Sequence, residues 1–210
     1  MRIDSIATRP DRAGRFLVKF SDGATMRLYR QTVENFGLYP GMELEEDMMP
    51  KLREAAGEMS AKMRSVRIVA ASNVSKRDLE QRLIRKGEDP EQARNAVAWM
   101  EELDLVDDAR TAQLLVGQCA RKGYGIARAK QVLYEKRIPK EFWEEALSDY
   151  PDQSEHITDF LRSRLSDDRD PAQVKRAVDA LLRRGHQYTD IRRCLKALDV
   201  TDFLEDGSWH

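Results

Sequence analysis

The chain is 210 residues long, enough for one domain of ordinary size or two small ones. Charged residues make up 35%, yet 36 Lys and Arg against 37 Asp and Glu leave a formal net charge of −1. That balance excludes a protein that coats nucleic acid by bulk charge and an acidic disordered chain alike.

The first fifty residues carry the strand signals. Arg15-Phe16-Leu17-Val18-Lys19-Phe20 and Thr25-Met26-Arg27-Leu28-Tyr29 flank Ser21-Asp22-Gly23-Ala24, where Asp-Gly predicts a hairpin turn with positive backbone dihedrals. Phe16, Val18 and Phe20 share one face by the period of two, as do Met26 and Leu28. Ile3 and Ile6 open a third strand, and Tyr39-Pro40-Gly41-Met42 marks a second turn. A hairpin this small needs a surface to pack on, so a β-containing cap docked on helices is expected.

From about residue 51 the pattern is helical. Met59, Met63, Val66 and Ala70 recur at helical spacing. Ser75-Lys76-Arg77-Asp78 has the capping-box form, with Leu79, Leu83 and Ile84 facing inward and Gly87 as the stop. Asp89-Pro90-Glu91-Gln92 and Asp170-Pro171-Ala172-Gln173 share one grammar: Asp caps, Pro takes the first helical position, Gln the third.

The most informative feature is an internal repeat. Leu83-Ile84-Arg85-Lys86-Gly87, Leu133-Tyr134-Glu135-Lys136-Arg137 and Leu181-Leu182-Arg183-Arg184-Gly185 align at offsets of 50 and 48 residues. Leu79, Ala129 and Ala177 precede the shared Leu by four residues; Ala93, Trp143 and Ile191 follow by ten, and Val97, Leu147 and Leu195 by fourteen. A preceding helix (about 61–72, 109–121 and 153–165) completes three helices per unit. The expected fold is mainly α: three tandem three-helix repeats in an elongated curved array, with a small N-terminal β-containing extension. The predicted divisions are 1–58 for the extension, 59–106, 107–150 and 151–210 for the repeats, the last with the tail.

Positive charge recurs in phase with the repeat. Residues 60–86 hold eight Lys and Arg, and 121–140 and 175–196 seven each, while acids gather at 43–47, 101–108 and 149–170. Such stretches suit an extended polyanion or an assembly containing one, although a solvated helix also carries charged faces. Candidate partner- or DNA-binding residues are Arg82, Arg85, Lys86, Arg121, Lys122, Tyr124, Arg128, Lys130, Lys136, Arg137, Arg183 and Arg184. Tyr124 and Tyr134 could stack on bases or pack in the core.

Catalytic signatures are absent. His156, His186 and His210 stand far apart without carboxylates or thiols at ligand spacing. Lys122-Gly123-Tyr124-Gly125 is too short for a phosphate-cradling loop, and neither Cys119 nor Cys194 has a nearby His. The two cysteines read as core residues of a reduced compartment. No apolar run is long enough for a membrane span, and Met-Arg-Ile-Asp-Ser-Ile lacks the apolar stretch of a signal peptide. The expectation is a cytoplasmic, non-enzymatic protein without metal or cofactor.

The segment Ser75 to Gly87, the turn Leu103-Asp104-Leu105-Val106-Asp107-Asp108, and Arg121-Lys122-Gly123-Tyr124-Gly125 followed by Leu133 and Lys136 resemble RecX regulatory proteins. The resemblance is strongest over 65–148 and weaker over 153–198, where His186 stands in place of the family's usual aromatic; in the middle unit Arg137 stands in place of a common Gly. It implies three tandem three-helix units, no enzymatic activity, and RecA recombinase filaments on single-stranded DNA as the partner, restrained in growth and activity. The chain is expected to be a monomer. Arg121, Lys122, Arg128, Lys136 and Lys130 are the basic positions the resemblance carries over. Two other classes remain open from the residues: a helical DNA-binding transcriptional regulator and a protein-only scaffold.

Overall fold

A computed structural model describes residues 1–165 and 170–200. Asp167, Asp168 and the tail from Thr201 to His210 therefore lie outside the described residues, as do the third repeat's boundary at 210 and His210. The chain divides into two compact units, 1–106 and 107 onward.

The first unit opens with an antiparallel sheet in the order β1 (Ile3–Ile6), β2 (Arg15–Phe20), β3 (Thr25–Tyr29). Val18, Phe20 and Leu28 are buried while Lys19 and Arg27 are exposed, the alternation expected of a sheet with one wet face. The hairpin differs from its predicted form at one residue. Only Gly23 has positive φ (85°); Asp22 instead turns its carboxylate onto the Ala24 amide at 2.9 Å. A three-residue loop needs one left-handed residue, not two. At the second turn Gly41 has φ 90° and the Met42 amide reaches the Tyr39 carbonyl at 3.2 Å.

A short helix α1 (Arg30–Asn35) leads to the long α2 (Met48–Ala71), followed by α3 (Lys76–Arg85) and α4 (Pro90–Glu102). Helix α2 runs unbroken through residue 58, where the sequence sets the end of the extension. Leu52 joins the core under the sheet, and Ala61 and Ile68 join the core shared with α3 and α4. Its inward stripe also differs from the predicted one. Leu52, Ala61, Ser65 and Ile68 are buried, whereas Met59, Met63 and Val66 are half-buried and Ala70 is exposed. Small residues win this face because α4 comes close: a Cβ on Gly57 would lie 2.2 Å from the Gln92 side chain. Gln92 accordingly reaches the Glu54 carbonyl (3.4 Å), while Asp89 caps α4 through the amides of Glu91 and Gln92.

The second unit contains α5 (Asp108–Arg121), α6 (Ile126–Glu135), a 3-10 turn (Lys140–Phe142), α7 (Trp143–Leu147), α8 (Ser154–Arg164), α9 (Pro171–Arg183) and α10 (Tyr188–Ala197). Asp107 and Asp170 cap α5 and α9 by accepting from the amides of Arg110 and Ala172. Cys119 and Cys194 are buried, one in each of this unit's two cores.

The repeat is visible in atomic detail. Leu83, Leu133 and Leu181 are all buried, and each carbonyl accepts from the amide five residues on: Glu88 (3.1 Å), Ile138 (3.0 Å) and His186 (3.2 Å). The intervening residue is left-handed each time: Gly87 (φ 89°), Arg137 (57°) and Gly185 (86°). This is a Schellman stop, repeated three times at the end of the middle helix. The residue after it is buried every time, yet its chemistry changes. Glu88 pairs with Arg64 (2.7 Å) and accepts from Ser60 (2.9 Å), Ile138 is apolar, and His186 bonds to a neighbouring repeat.

Candidate partner and nucleic-acid interface

The geometry is set where the second and third repeats meet. The Gly125 amide, at the N-terminus of α6, donates to the Arg184 carbonyl at 2.9 Å, and the Ala127 amide donates to the Gly185 carbonyl at 3.3 Å. The free amides of one helix start thus satisfy the free carbonyls of another helix end. Side chains cannot enter this seam. A Cβ on Gly125 would lie 2.0 Å from the Gly185 oxygen, and one on Gly185 would lie 2.2 Å from the Arg128 nitrogen.

His186 closes the seam with its Nε2 3.0 Å from the Gly123 carbonyl. Burial pushes the imidazole below its usual pKa, opposed by that hydrogen bond and aided by the Arg184 charge. Facing a carbonyl, Nε2 must be the donor, so in the neutral ring that burial favours the proton sits on Nε2. Beside it, the space next to Gly123 is filled by the His156 ring, and Tyr150 donates to the Tyr124 carbonyl at 2.6 Å. Burial raises the Tyr150 phenol to about 12.

This seam brings together the backbone carrying Lys122, Arg128, Arg183 and Arg184. Arg121, Lys122, Arg183 and Arg184 are exposed; Arg128 is half-buried and pairs with Glu135 at 3.1 Å. Lys122 and Arg128 both favour the thiolate of Cys119, but burial outweighs them and raises that thiol. Lys130 and Arg137 are exposed and Lys136 half-buried, further along α6 and just past its end. Tyr124 is half-buried against the second repeat's core, whereas Tyr134 is 73% exposed on α6.

Three candidates belong to the first unit and form a separate group. Arg82 is held by Asp78 (2.8 Å) and Ser72 (3.2 Å), so it buttresses its own helix. Arg85 bonds the Gln81 carbonyl at 3.2 Å; Lys86 is exposed, and its carbonyl accepts from Arg64 at 2.7 Å.

Sequence reasoning passed over Phe160, Arg164 and Arg176. The Arg184 and Arg164 guanidiniums lie 4.7 and 5.5 Å from the Phe160 ring centre. Arg164 is one helical turn from Phe160, a signal readable in sequence; Arg184 reaches the ring only through the fold. Among the described residues no three His, Cys, Asp or Glu side chains group as a metal site would, and no helix is long and apolar enough to cross a membrane.

The fold has structural counterparts. A crystal structure described as regulatory protein RecX superposes with a TM-score of 0.61 at 18% identity, covering 93% of this chain and 98% of that one. RecX from Lactobacillus salivarius superposes with a TM-score of 0.58 at 20% identity, covering 70% and 99% respectively. Fold and cationic seam together define a mainly α protein of tandem three-helix units with an N-terminal three-stranded sheet. Residues 107–147 match the family model for the second three-helix domain of RecX. The chain is 30% identical over 154 residues to the regulatory protein RecX of Stenotrophomonas maltophilia (strain R551-3), covering 72% of this chain and 94% of that protein. It is 27% identical over 161 residues to the RecX of Xanthomonas axonopodis pv. citri (strain 306), covering 75% and 99%. The chain belongs to the RecX family of regulatory proteins.

Proposed function

We propose that this protein is a non-catalytic cytoplasmic regulator that binds RecA recombinase filaments on single-stranded DNA as a monomer and restrains their growth, ATPase and strand exchange. Its modules in this reading are the extension and three helical units divided near residues 58, 106 and 150. Family membership supports the regulatory role. The observation that carries the rest is the α6–α9 seam, which presents Lys122, Arg128, Arg183 and Arg184 from two repeats around one backbone junction. Cations fixed on rigid elements suit the regular phosphates of a filament-bound strand. Lys130, Lys136 and Arg137 extend the face along α6, and Arg85 and Lys86 supply a second group in the first unit.

The test is DNA-dependent ATP hydrolysis and filament assembly by RecA with this protein titrated in. Falling ATPase and shorter filaments are expected. Unchanged rates at several-fold excess would sink the proposal. Sequence-specific binding to duplex DNA would point to the transcriptional reading instead, and salt-independent binding to protein alone to the scaffold.

A further inference from the structure

A groove of about 550 Å³ lies between α8 and α9, lined by Phe160, Arg164, Arg176, Asp179 and Arg183 among others. Its charge is unbalanced and largely uncommitted. Arg164, Arg183 and Arg184 make no ion pair among the described residues. Arg176 donates from Nε to the Ala172 carbonyl at 3.0 Å, and its terminal nitrogen reaches Asp170 only at 3.8 Å with both side chains well exposed, a pairing that water screens. Asp179 is the one carboxylate among the named lining residues.

Phe160 gives this charge its order. An aromatic face attracts a guanidinium without neutralising it. A carboxylate in that place would have consumed the donors; the ring orients Arg164 and Arg184 and leaves their N–H groups for a ligand. Arg183 lines the groove at the end of α9, and the next residue, Arg184, meets the Gly125 amide through its carbonyl at the seam. Arginines on both walls of a groove and at the end of α9 match a polymer of regularly spaced phosphates better than a short acidic segment.

We propose that the α8–α9 groove is a phosphate-backbone site for single-stranded nucleic acid, with Arg164, Arg176 and Arg183 as contacts and Phe160 as the positioning side chain. It extends the interface proposed above by surface that none of the candidate residues except Arg183 and Arg184 covers, and it rests on that reading for the choice of nucleic acid.

The experiment is anisotropy of a labelled oligothymidylate with the full chain, from about 50 to about 200 mM salt. The double variant Arg164→Gln/Arg176→Gln is expected to bind about tenfold more weakly at low salt. Its slope of log affinity against log salt should be shallower by about 1.4, since two fewer phosphates are neutralised. Asp179→Asn should tighten binding. Unchanged affinity and slope in the double variant overturns the proposal. So does polyglutamate of matched charge that loses binding in the double variant while the oligonucleotide does not, which assigns the groove to an acidic protein partner. Paired with the RecA titration, the two readings fail separately. Restrained RecA with oligonucleotide binding absent or indifferent to these arginines rejects the groove alone. Arginine-dependent oligonucleotide binding with RecA untouched rejects the regulator and keeps the groove.

Discussion

Arg137 occupies a backbone conformation that its own side chain disfavours. With φ at 57° it takes the position that Gly87 and Gly185 hold in the other repeats. A left-handed non-glycine residue costs about 1–2 kcal/mol, partly offset because glycine is more disordered when unfolded. Arg137→Gly should therefore raise stability by about 0.5–1 kcal/mol, read as a higher urea midpoint at constant slope. A lower midpoint would show that the guanidinium stabilises the helix end by more than the strain costs. His186 makes the opposite kind of prediction. Its folded pKa lies below the 6.5 of the free side chain because it is buried, so the unfolded chain binds the extra proton. The stabilisation is complete above about pH 6.5 and is lost as pH falls through the folded value. The urea midpoint should fall between about pH 7.5 and about pH 5.5, and His186→Phe should flatten that fall. Equal slopes in the two proteins would place the sensitivity elsewhere.

At the scale of elements, the seam between α6 and α9 depends on the absence of two side chains. Gly185→Ala puts a Cβ 2.2 Å from a backbone nitrogen and forces an alanine to φ 86°. That nitrogen belongs to no flexible tip, so the loss should be about 2 kcal/mol or more, measured as a lowered unfolding temperature. Full stability in that variant would mean the two repeats separate freely. The elements themselves are largely legible in the sequence, because their signals are local. Ser75, Asp89 and Asp170 cap where they stand, and Leu83, Leu133 and Leu181 fall in phase. The seam is not legible. Gly125 and Gly185 are sixty residues apart in the chain, and nothing in either flank states that one must meet the other. The inward face of α2 escapes sequence reasoning for a related reason. Hydrophobic size favours Met59 and Met63, whereas the approach of α4 favours Ala61 and Ser65. The basic candidates emerge from the sequence as a set, but Arg82 is tied to Asp78, and charge counting cannot show that.

Among the described residues, each apolar core stays within one unit: two in residues 1–106 and two beyond. Net charge excludes coating by bulk charge but is blind to local faces, since the −1 sums cationic and acidic stretches. Reversing charge at Arg128 and Lys136 together should weaken restraint of RecA by about tenfold or more, with helicity by circular dichroism unchanged. An equal loss of thermal stability would reassign those residues to the fold. The seam also determines what kind of charge can act on a partner. The start of a helix ordinarily offers its amides to anions, but α6 gives Gly125 and Ala127 to carbonyls of the third repeat. Attraction on that face is therefore left to side chains, several of them guanidiniums that keep their proton throughout the physiological range. Affinity through Arg128, Arg183 and Arg184 should therefore stay level as the medium acidifies, and any fall should track the stability lost when the buried His186 takes up charge. Such a surface responds to acid through the joint beneath it, while its own charge stays the same.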